Sequence, residues 1–299
     1  LMSFKRTRLA AGVAFVALVA ASQASASAFY LQEQSVRGTG RAYSGEVADK
    51  GVGSLWWNPA SIAGIARSEA QVGANMILVN STVTNAGSTI TRPVPPAGLT
   101  TPIGGAGVAF DPINDGVVPN LGGAWKLNDK LSLGLSVAAP YNFTTQYKAD
   151  SWTRYDALKS HLRTVNVDGV VAYRVNDRLD LGVGVTAMYA DAELTNALPN
   201  LSPLQTDGLQ SLKGDGWAYG YTVGAQFHPS KTLTIGASYR SKLDHKLEGA
   251  VKVSGLLAPI PAASNFAVDG HAKITLPWMA NLGARWAVND QWTLNGSVS

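Results

Sequence analysis

The sequence predicts an all-β protein, a transmembrane antiparallel β-barrel. Three observations point there. The chain is rich in glycine (31) and poor in charge (15%), and its 46% apolar content never gathers into one long hydrophobic block. From about residue 66 onward apolar residues alternate with small or polar ones, the period of a strand with two different faces. Short turns and long connections also alternate, the asymmetry of outer-membrane barrels with short periplasmic turns and long outer loops. A soluble β-sandwich or propeller is the alternative. The expected strand lengths, the loop asymmetry and an export signal weigh against it.

The export signal comes first in the chain. Lys5, Arg6 and Arg8 form a positive start, Leu9 to Ala21 is uncharged and mostly apolar, and Ser-Gln-Ala-Ser-Ala-Ser-Ala follows, with cleavage expected after Ala26 or Ala28. This is the layout of a secretory signal peptide, set at residues 1–26. A membrane anchor would need about 20 apolar residues. Three of the 24 basic residues and none of the 20 acidic ones lie in this segment, so the exported part is nearly neutral. Net charge therefore gives no argument for a nucleic-acid partner. With no cysteine, disulfides and thiolate metal sites are excluded.

Residues 27–65 read differently from the rest. They show little alternation, are dense in glycine and carry Arg37, Arg41, Glu46, Asp49 and Lys50. Too polar for lipid, they are expected to form a plug, or hatch, inside or across the mouth of a barrel built from 66–299.

Four short turns punctuate that barrel: Leu127-Asn-Asp-Lys130, Val175-Asn-Asp-Arg178, His228-Pro-Ser-Lys231 and Val288-Asn-Asp-Gln291. Asn and Asp tolerate the backbone of a tight reversal. Around them lie alternating runs such as Leu131-Ser-Leu-Gly-Leu-Ser-Val137 and Leu233-Thr-Ile-Gly-Ala-Ser-Tyr239, with the large apolar residues expected toward lipid and Gly, Ser and Thr toward the lumen. Nine strands are expected: 67–83, 117–127, 131–141, 161–175, 178–195, 215–228, 231–249, 269–287 and 291–299. Long connections are expected at 84–116, 141–160, 196–214 and 250–268. Aromatic residues near strand ends, among them Trp125, Tyr141, Trp152, Tyr173, Trp217, Tyr239, Trp278 and Trp286, suit interfacial girdles. An odd strand count leaves an unpaired edge, which lipid does not tolerate. The chain is therefore expected to lack several C-terminal strands.

Phe29-Tyr-Leu-Gln-Glu33, Gly38-Thr-Gly-Arg-Ala-Tyr-Ser-Gly-Glu46 and Trp57-Asn-Pro-Ala60 resemble the N-terminal hatch of the long-chain fatty acid outer-membrane transporter family (FadL), which includes toluene and other aromatic-hydrocarbon channels. The resemblance continues through 119–141, Ala172-Tyr-Arg-Val-Asn-Asp177, Gly214-Asp-Gly-Trp217 and 238–249, and so covers residues 28–299. It implies a monomeric barrel of fourteen strands in the outer membrane of a Gram-negative cell. The implied function is passive uptake of hydrophobic compounds, foremost long-chain fatty acids. Ligand would be caught among the outer loops, move to a barrel pocket, and leave sideways through an opening at strand three. Aromatic hydrocarbons such as toluene are the alternative cargo, and a surface adhesin or structural porin the alternative class. No cofactor, metal or catalytic activity is expected.

Within this frame Phe29 is expected in the ligand pocket. Asn58, Pro59 and Ala60 form a turn expected to support the wall opening. Arg37, Arg41, Glu46 and Asp49 are expected either as a polar network tying hatch to wall or as a gated water path. Ala139, Pro140 and Tyr141 end strand three, where Pro cannot complete a ladder; Pro140 either marks the opening or merely starts a loop. Trp152, Tyr155, Leu201 and Leu204, in the outer loops, are expected to form a capture groove or to pack a loop lid. The four histidines, His161, His228, His245 and His271, are expected at surfaces or interfaces. Strand five ends Tyr189-Ala-Asp-Ala-Glu-Leu-Thr-Asn196, acids without a base, which is awkward for a buried carboxylate ligand. Arg163, Arg174 and Arg240 are the cations that could compensate.

Overall fold

The structure, a computed structural model, describes residues 30–92 and 98–299. The expected signal peptide, its cleavage sites and Phe29 lie outside the described residues. An N-terminal segment, 30–65, holds a one-turn helix, α1 (Val36–Thr39), and three 3-10 turns at Glu46–Ala48, Val52–Ser54 and Pro59–Ile62. Sixteen strands follow among the described residues. They are β1 (Glu69–Ile77), β2 (Thr82–Thr84), β3 (Thr89–Arg92), β4 (Leu99–Pro102), β5 (Val108–Phe110), β6 (Gly116–Lys126), β7 (Leu131–Ala138) and β8 (Asn142–Gln146), then β9 (Lys159–Asn176), β10 (Leu179–Leu198), β11 (Gly208–Phe227), β12 (Leu233–Arg240), β13 (Leu243–Ser254), β14 (Phe266–Leu276), β15 (Met279–Ala287) and β16 (Thr293–Val298). No helix among the described residues is long and apolar enough to cross a membrane.

The wall is one antiparallel sheet in the order β1-β6-β7-β9-β10-β11-β12-β15-β16. β8 continues β7, β13 continues β12, and β14 leads into β15, so the path passes through all nine expected strands. Three of those, 67–83, 231–249 and 269–287, are each broken in two. The end of the first expected strand becomes β2, which pairs with β5, and the expected loop 84–116 contains β5 and a small hairpin of β3 with β4.

Side chains alternate as the period-two pattern requires. On β7 Ser132, Gly134 and Ser136 face the N-terminal segment while Leu133 and Leu135 face outward. The outward face of β10 and β11 carries Leu181, Val183, Val185, Val223 and Phe227, an apolar band for lipid. The band ends in an aromatic row: Tyr189 against Trp217 at 5.4 Å between ring centroids, then Tyr221, Tyr239 and Trp278 at 6.1 and 6.0 Å. Beyond this row the outward side chains are charged, with Glu193 bridging Lys159 (2.7 Å) and Lys213 (2.9 Å). A bilayer needs only about 9–11 residues of strand, so the upper halves of the 20-residue β10 and β11 stand in water. Of the aromatics expected in girdles, Tyr141 and Trp152 are buried instead.

Glycine decides how closely the N-terminal segment meets the wall. Gly73 (β1), Gly122 (β6), Gly134 (β7), Gly182 (β10), Gly224 (β11), Gly236 (β12) and Gly283 (β15) all face it, and a β-carbon at any of them would overlap Val36, Val52, Ile62, Pro59, Asn58 or Val47. Seven strands thus touch one small body. Laid flat at about 4.8 Å per strand, the nine-strand wall would span roughly 38 Å, whereas a compact segment of this length is roughly 20 Å across. Contact with all of them requires the sheet to curl around the segment. Replacing Gly182, which abuts the Pro59–Ala60 backbone, by Ala should destabilise the fold by about 1–3 kcal/mol and expose the N-terminal segment to protease. Gly169→Ala, whose new carbon meets only Val185 at 3.7 Å on the outer face, should stay within about 0.5 kcal/mol of the parent. Urea midpoints and limited proteolysis of the two variants provide the comparison.

Candidate functional site

Two register slips build the site. β7 pairs with β9 up to Ala138↔Asn166, and β8 resumes at Asn142↔Arg163. The first strand advances four residues while its partner advances three. β12 pairs with β11 at Arg240↔Thr222, and β13 pairs with it at Glu248↔Asp215, eight residues against seven. One extra residue is a β-bulge, and it turns every later side chain to the opposite face. Above the slips Tyr141, Leu243 and Leu247 therefore point into the lumen, while Asp244, Lys246 and Glu248 point out. Tyr141, Met188, Ala218, Leu243 and Leu276 pack into one buried apolar cluster, flanked by Tyr30, Leu162 and Ile274. This compartment lies directly above the polar N-terminal segment.

The first slip also opens the wall. Below it the β6–β7 ladder ends at Leu121↔Val137. Above it the strands meet again, with Asn114 N–H donating to Thr144 O (2.9 Å) and Gln146 N–H to Pro112 O (2.7 Å). Between these points Gly116–Asn120 pair with β1 alone, and no backbone bond crosses to Ala139, Pro140 or Tyr141 among the described residues. The gap is about 17 Å of strand. Its rim is satisfied from inside. Leu31 N–H donates to Pro140 O at 2.8 Å. The Gln34 side-chain amide accepts from Ala139 N–H at 3.0 Å and donates to Ala139 O at 3.2 Å. Gln34 thus supplies the two bonds a neighbouring strand would have made, and Tyr30 forms a bridge with Tyr141.

A buried ion pair forms the floor. The Arg240 guanidinium donates to both Asp168 oxygens (2.8 and 2.9 Å), to Thr186 (3.1 Å) and to the Trp56 carbonyl (3.1 Å), and stands 3.9 Å over the Trp56 ring. Trp56 in turn donates from Nε1 to the Tyr30 hydroxyl at 3.0 Å, and the Tyr30 and Tyr141 rings lie 5.8 Å apart. Burial pushes the Tyr30 phenol above its ordinary range, so the hydroxyl stays protonated. Wall, floor, seal and gap are one connected chain of contacts.

The residues singled out from sequence divide into those that meet this site and those that do not. Ala139, Pro140 and Tyr141 frame the gap. Arg37, Arg41, Glu46 and Asp49 form a network: Asp49 takes Arg37 at 2.9 Å and Arg41 at 2.7 Å, and Arg41 also pairs with Glu46. It reaches the wall through Gln226, which donates to Asp49 O at 2.8 Å. Asn58, Pro59 and Ala60 sit elsewhere than expected. Asn58 caps its own turn by accepting from Ala60 N–H (2.9 Å) and donates to Val47 O (2.7 Å) and Ala225 O (3.1 Å), and Pro59 abuts Gly182. The turn therefore rests on β10 and β11, two or three strands from the gap. Trp152 is buried, and the Tyr155 hydroxyl donates to Asp207 (2.9 Å) while accepting from Arg92 (3.1 Å), a lock between outer loops. Leu204 is exposed on a loop tip and Leu201 half-buried.

The acidic end of strand five faces outward, where Asp191 meets His161 and Arg163, so it says nothing about a lumenal ligand. Arg163 is outside with it, Arg174 is paired with Asp180 at 3.1 Å, and Arg240 is held by Asp168. His245, expected at a surface or interface, is buried in the lumen. Gln34, Trp56, Asp168 and Met188 were not singled out at all; the one available signal was the lone buried-type charge, Asp168, in an otherwise apolar run of β9. Asp168→Asn should leave Arg240 buried without its charge partner. A cost of about 3–5 kcal/mol, read as a lowered unfolding midpoint, is expected with β-sheet content intact.

Residues 17–299 match the family described as "Outer membrane protein transport protein (OMPP1/FadL/TodX)". The chain is 28% identical over 334 aligned positions to the long-chain fatty acid transport protein of Escherichia coli K12, covering 99% of this chain and 70% of that protein. It is 30% identical over 263 positions to outer membrane protein P1 of Haemophilus influenzae, covering 76% and 56%. Its fold is similar to the crystal structure of a Pseudomonas aeruginosa FadL homologue, with a TM-score of 0.71 at 20% identity over 88% of this chain and 67% of that one. It is also similar to the Pseudomonas putida toluene transporter TodX, with a TM-score of 0.57 at 16% identity over 83% and 67%. The curled nine-strand wall, its apolar outward band and this match over nearly the whole chain make the protein a Gram-negative outer-membrane β-barrel of the OMPP1/FadL/TodX transport family.

Proposed function

We propose that this protein, as a monomer and without catalysis, takes up long-chain fatty acids across the outer membrane. Ligand is gathered among the outer loops and enters the apolar compartment lined by Tyr141, Met188, Leu243 and Leu276. It then leaves through the gap between β6 and β7 into the membrane. Residues 30–34 act as the hatch edge that closes the gap. One observation carries this proposal: the wall is open where the apolar compartment meets it, and the opening is held shut by Gln34 and Leu31, which are not part of the wall. A sideways exit spares an apolar molecule the polar N-terminal segment below. The long-chain fatty acid transport protein of Escherichia coli K12, aligned over 99% of the chain, supports fatty acids as the cargo. A second cargo, aromatic hydrocarbons, is favoured by the pairing of Arg240 with Asp168 and the outward position of Arg163, which leave the apolar cluster without a free cation among the described residues.

The native chain has no cysteine, so a disulfide across the seal can be introduced cleanly. Tyr30 and Tyr141 are bridge partners, whose α-carbons fall within the span a disulfide needs. In a Tyr30→Cys, Tyr141→Cys double variant, oleate uptake should fall to the level of a deletion strain under oxidising conditions and recover on reduction. Equal uptake in both states would refute the lateral route, and toluene uptake without oleate uptake would select the second cargo.

A further inference from the structure

His245 sits on β13 between Leu243 and Leu247, and the second register slip turns all three into the lumen. It is 2% exposed. Below it lies the packed cluster of Leu243, Met188 and Ala218; above it a largely apolar cavity is lined by Leu212, Leu247, Val251 and Ile274, together with Lys213 and His271. Its Nδ1 faces the Gly216 carbonyl at 3.4 Å, and its Nε2 has no partner among the described residues. A carbonyl oxygen only accepts, so Nδ1 carries the hydrogen, and in the neutral ring Nε2 is left as a bare acceptor. An unpaired buried acceptor in apolar surroundings is unfavourable, and a ligand that pairs it gains selectivity over one that does not.

We propose that His245 Nε2 is the polar anchor of the lumenal site and selects ligands with a carboxylic acid head over hydrocarbons and esters. This rests on the uptake function above and deepens it. The acid enters carrying its own proton, which forms an O–H···Nε2 hydrogen bond or passes to the ring to leave an imidazolium–carboxylate pair. Both descriptions contain the same atoms and the same single proton, so no separate lumenal Arg or Lys is needed. The apolar tail then lies among Leu212, Leu247, Val251 and Ile274. His245 touches the ligand head and is a specificity-determining residue.

The test uses the full chain in detergent, with oleic acid and methyl oleate as probes; the ester has the same tail and no proton to donate. The unmodified protein should bind the acid at least about tenfold more tightly than the ester, equivalent to about 1.4 kcal/mol. His245→Phe should reduce acid affinity to that of the ester while leaving the ester unchanged, and His245→Gln, which keeps a polar amide, should retain part of the preference. Equal binding of acid and ester by the unmodified protein overturns the anchor without needing any variant, and leaves the uptake function standing. An unchanged acid-to-ester ratio in His245→Phe also overturns it. Binding of neither probe overturns the uptake function together with the anchor.

Discussion

The close approach between the N-terminal segment and a belt of glycines on seven wall strands sets everything else in place. Each glycine gives up a side chain so that Val36, Val47, Val52, Asn58, Pro59 or Ile62 can lie against the wall. The result is a sheet that has to curl, because one small body touches nearly all of it. The curl in turn puts Asp168, Thr186 and Arg240, on three different strands, around the same Trp56. A flat sheet would hold those groups too far from one another to satisfy a buried guanidinium.

Above this belt the wall reverses its sidedness. In β12 the even positions, Thr234, Gly236 and Ser238, face the lumen. Had that phase continued, Lys242, Asp244, Lys246 and Glu248 would enter the lumen and Leu247 would leave it. Four lumenal charges would each need a partner, at a cost that a one-residue bulge avoids. The bulge places those charges outside, above the aromatic row and in water, where Lys242–Asp244 and Lys246–Glu248 pair at 2.8 and 2.7 Å. The slip at Ala139–Pro140 does the same for Tyr141. Two local irregularities thus convert a polar lumen into an apolar compartment, and the first of them breaks the wall beside it.

Much of this architecture was legible in the residues themselves. The Asn-Asp turns and the Leu-Ser-Leu-Gly-Leu pattern located the nine wall strands, because lipid on one side and a polar interior on the other leave a period-two trace. The glycine four residues into β7, β10 and β12 was also visible as a repeat, though its meaning required knowing what lies opposite. The slips were not legible. From Leu233 to Val253 the large apolar residues all fall at odd positions, broken only by Ser241, His245 and Gly249, so the run reads as one strand with one lipid face. The change in the even positions, from Thr, Gly and Ser to Lys, Asp, Lys and Glu, with Ser241 and His245 among the odd ones, was the mark of the reversal. For the same reason His245 read as a surface or interface residue, whereas Asp191 and Glu193 of strand five simply keep the outward phase of Leu181, Val183 and Val185 with no slip between. Asn58-Pro59-Ala60 was recognisable as a specific turn, but a turn's sequence fixes its own cap and not which strands it rests on. Gln34, one of four consecutive polar residues in Gln32-Glu33-Gln34-Ser35, carried no local signal that its amide would complete another strand's ladder.

The account turns on whether the seal made by residues 30–34 opens when the compartment fills. Amide hydrogen exchange resolved to single residues addresses this directly, since Leu31 and Ala139 donate the sealing bonds while Ala63 and Asn58 donate bonds deep in the floor. On saturation with oleate, exchange at Leu31 and Ala139 should accelerate while Asn58 and Ala63 stay protected. Unchanged protection at Leu31 and Ala139 in the liganded protein would contradict it.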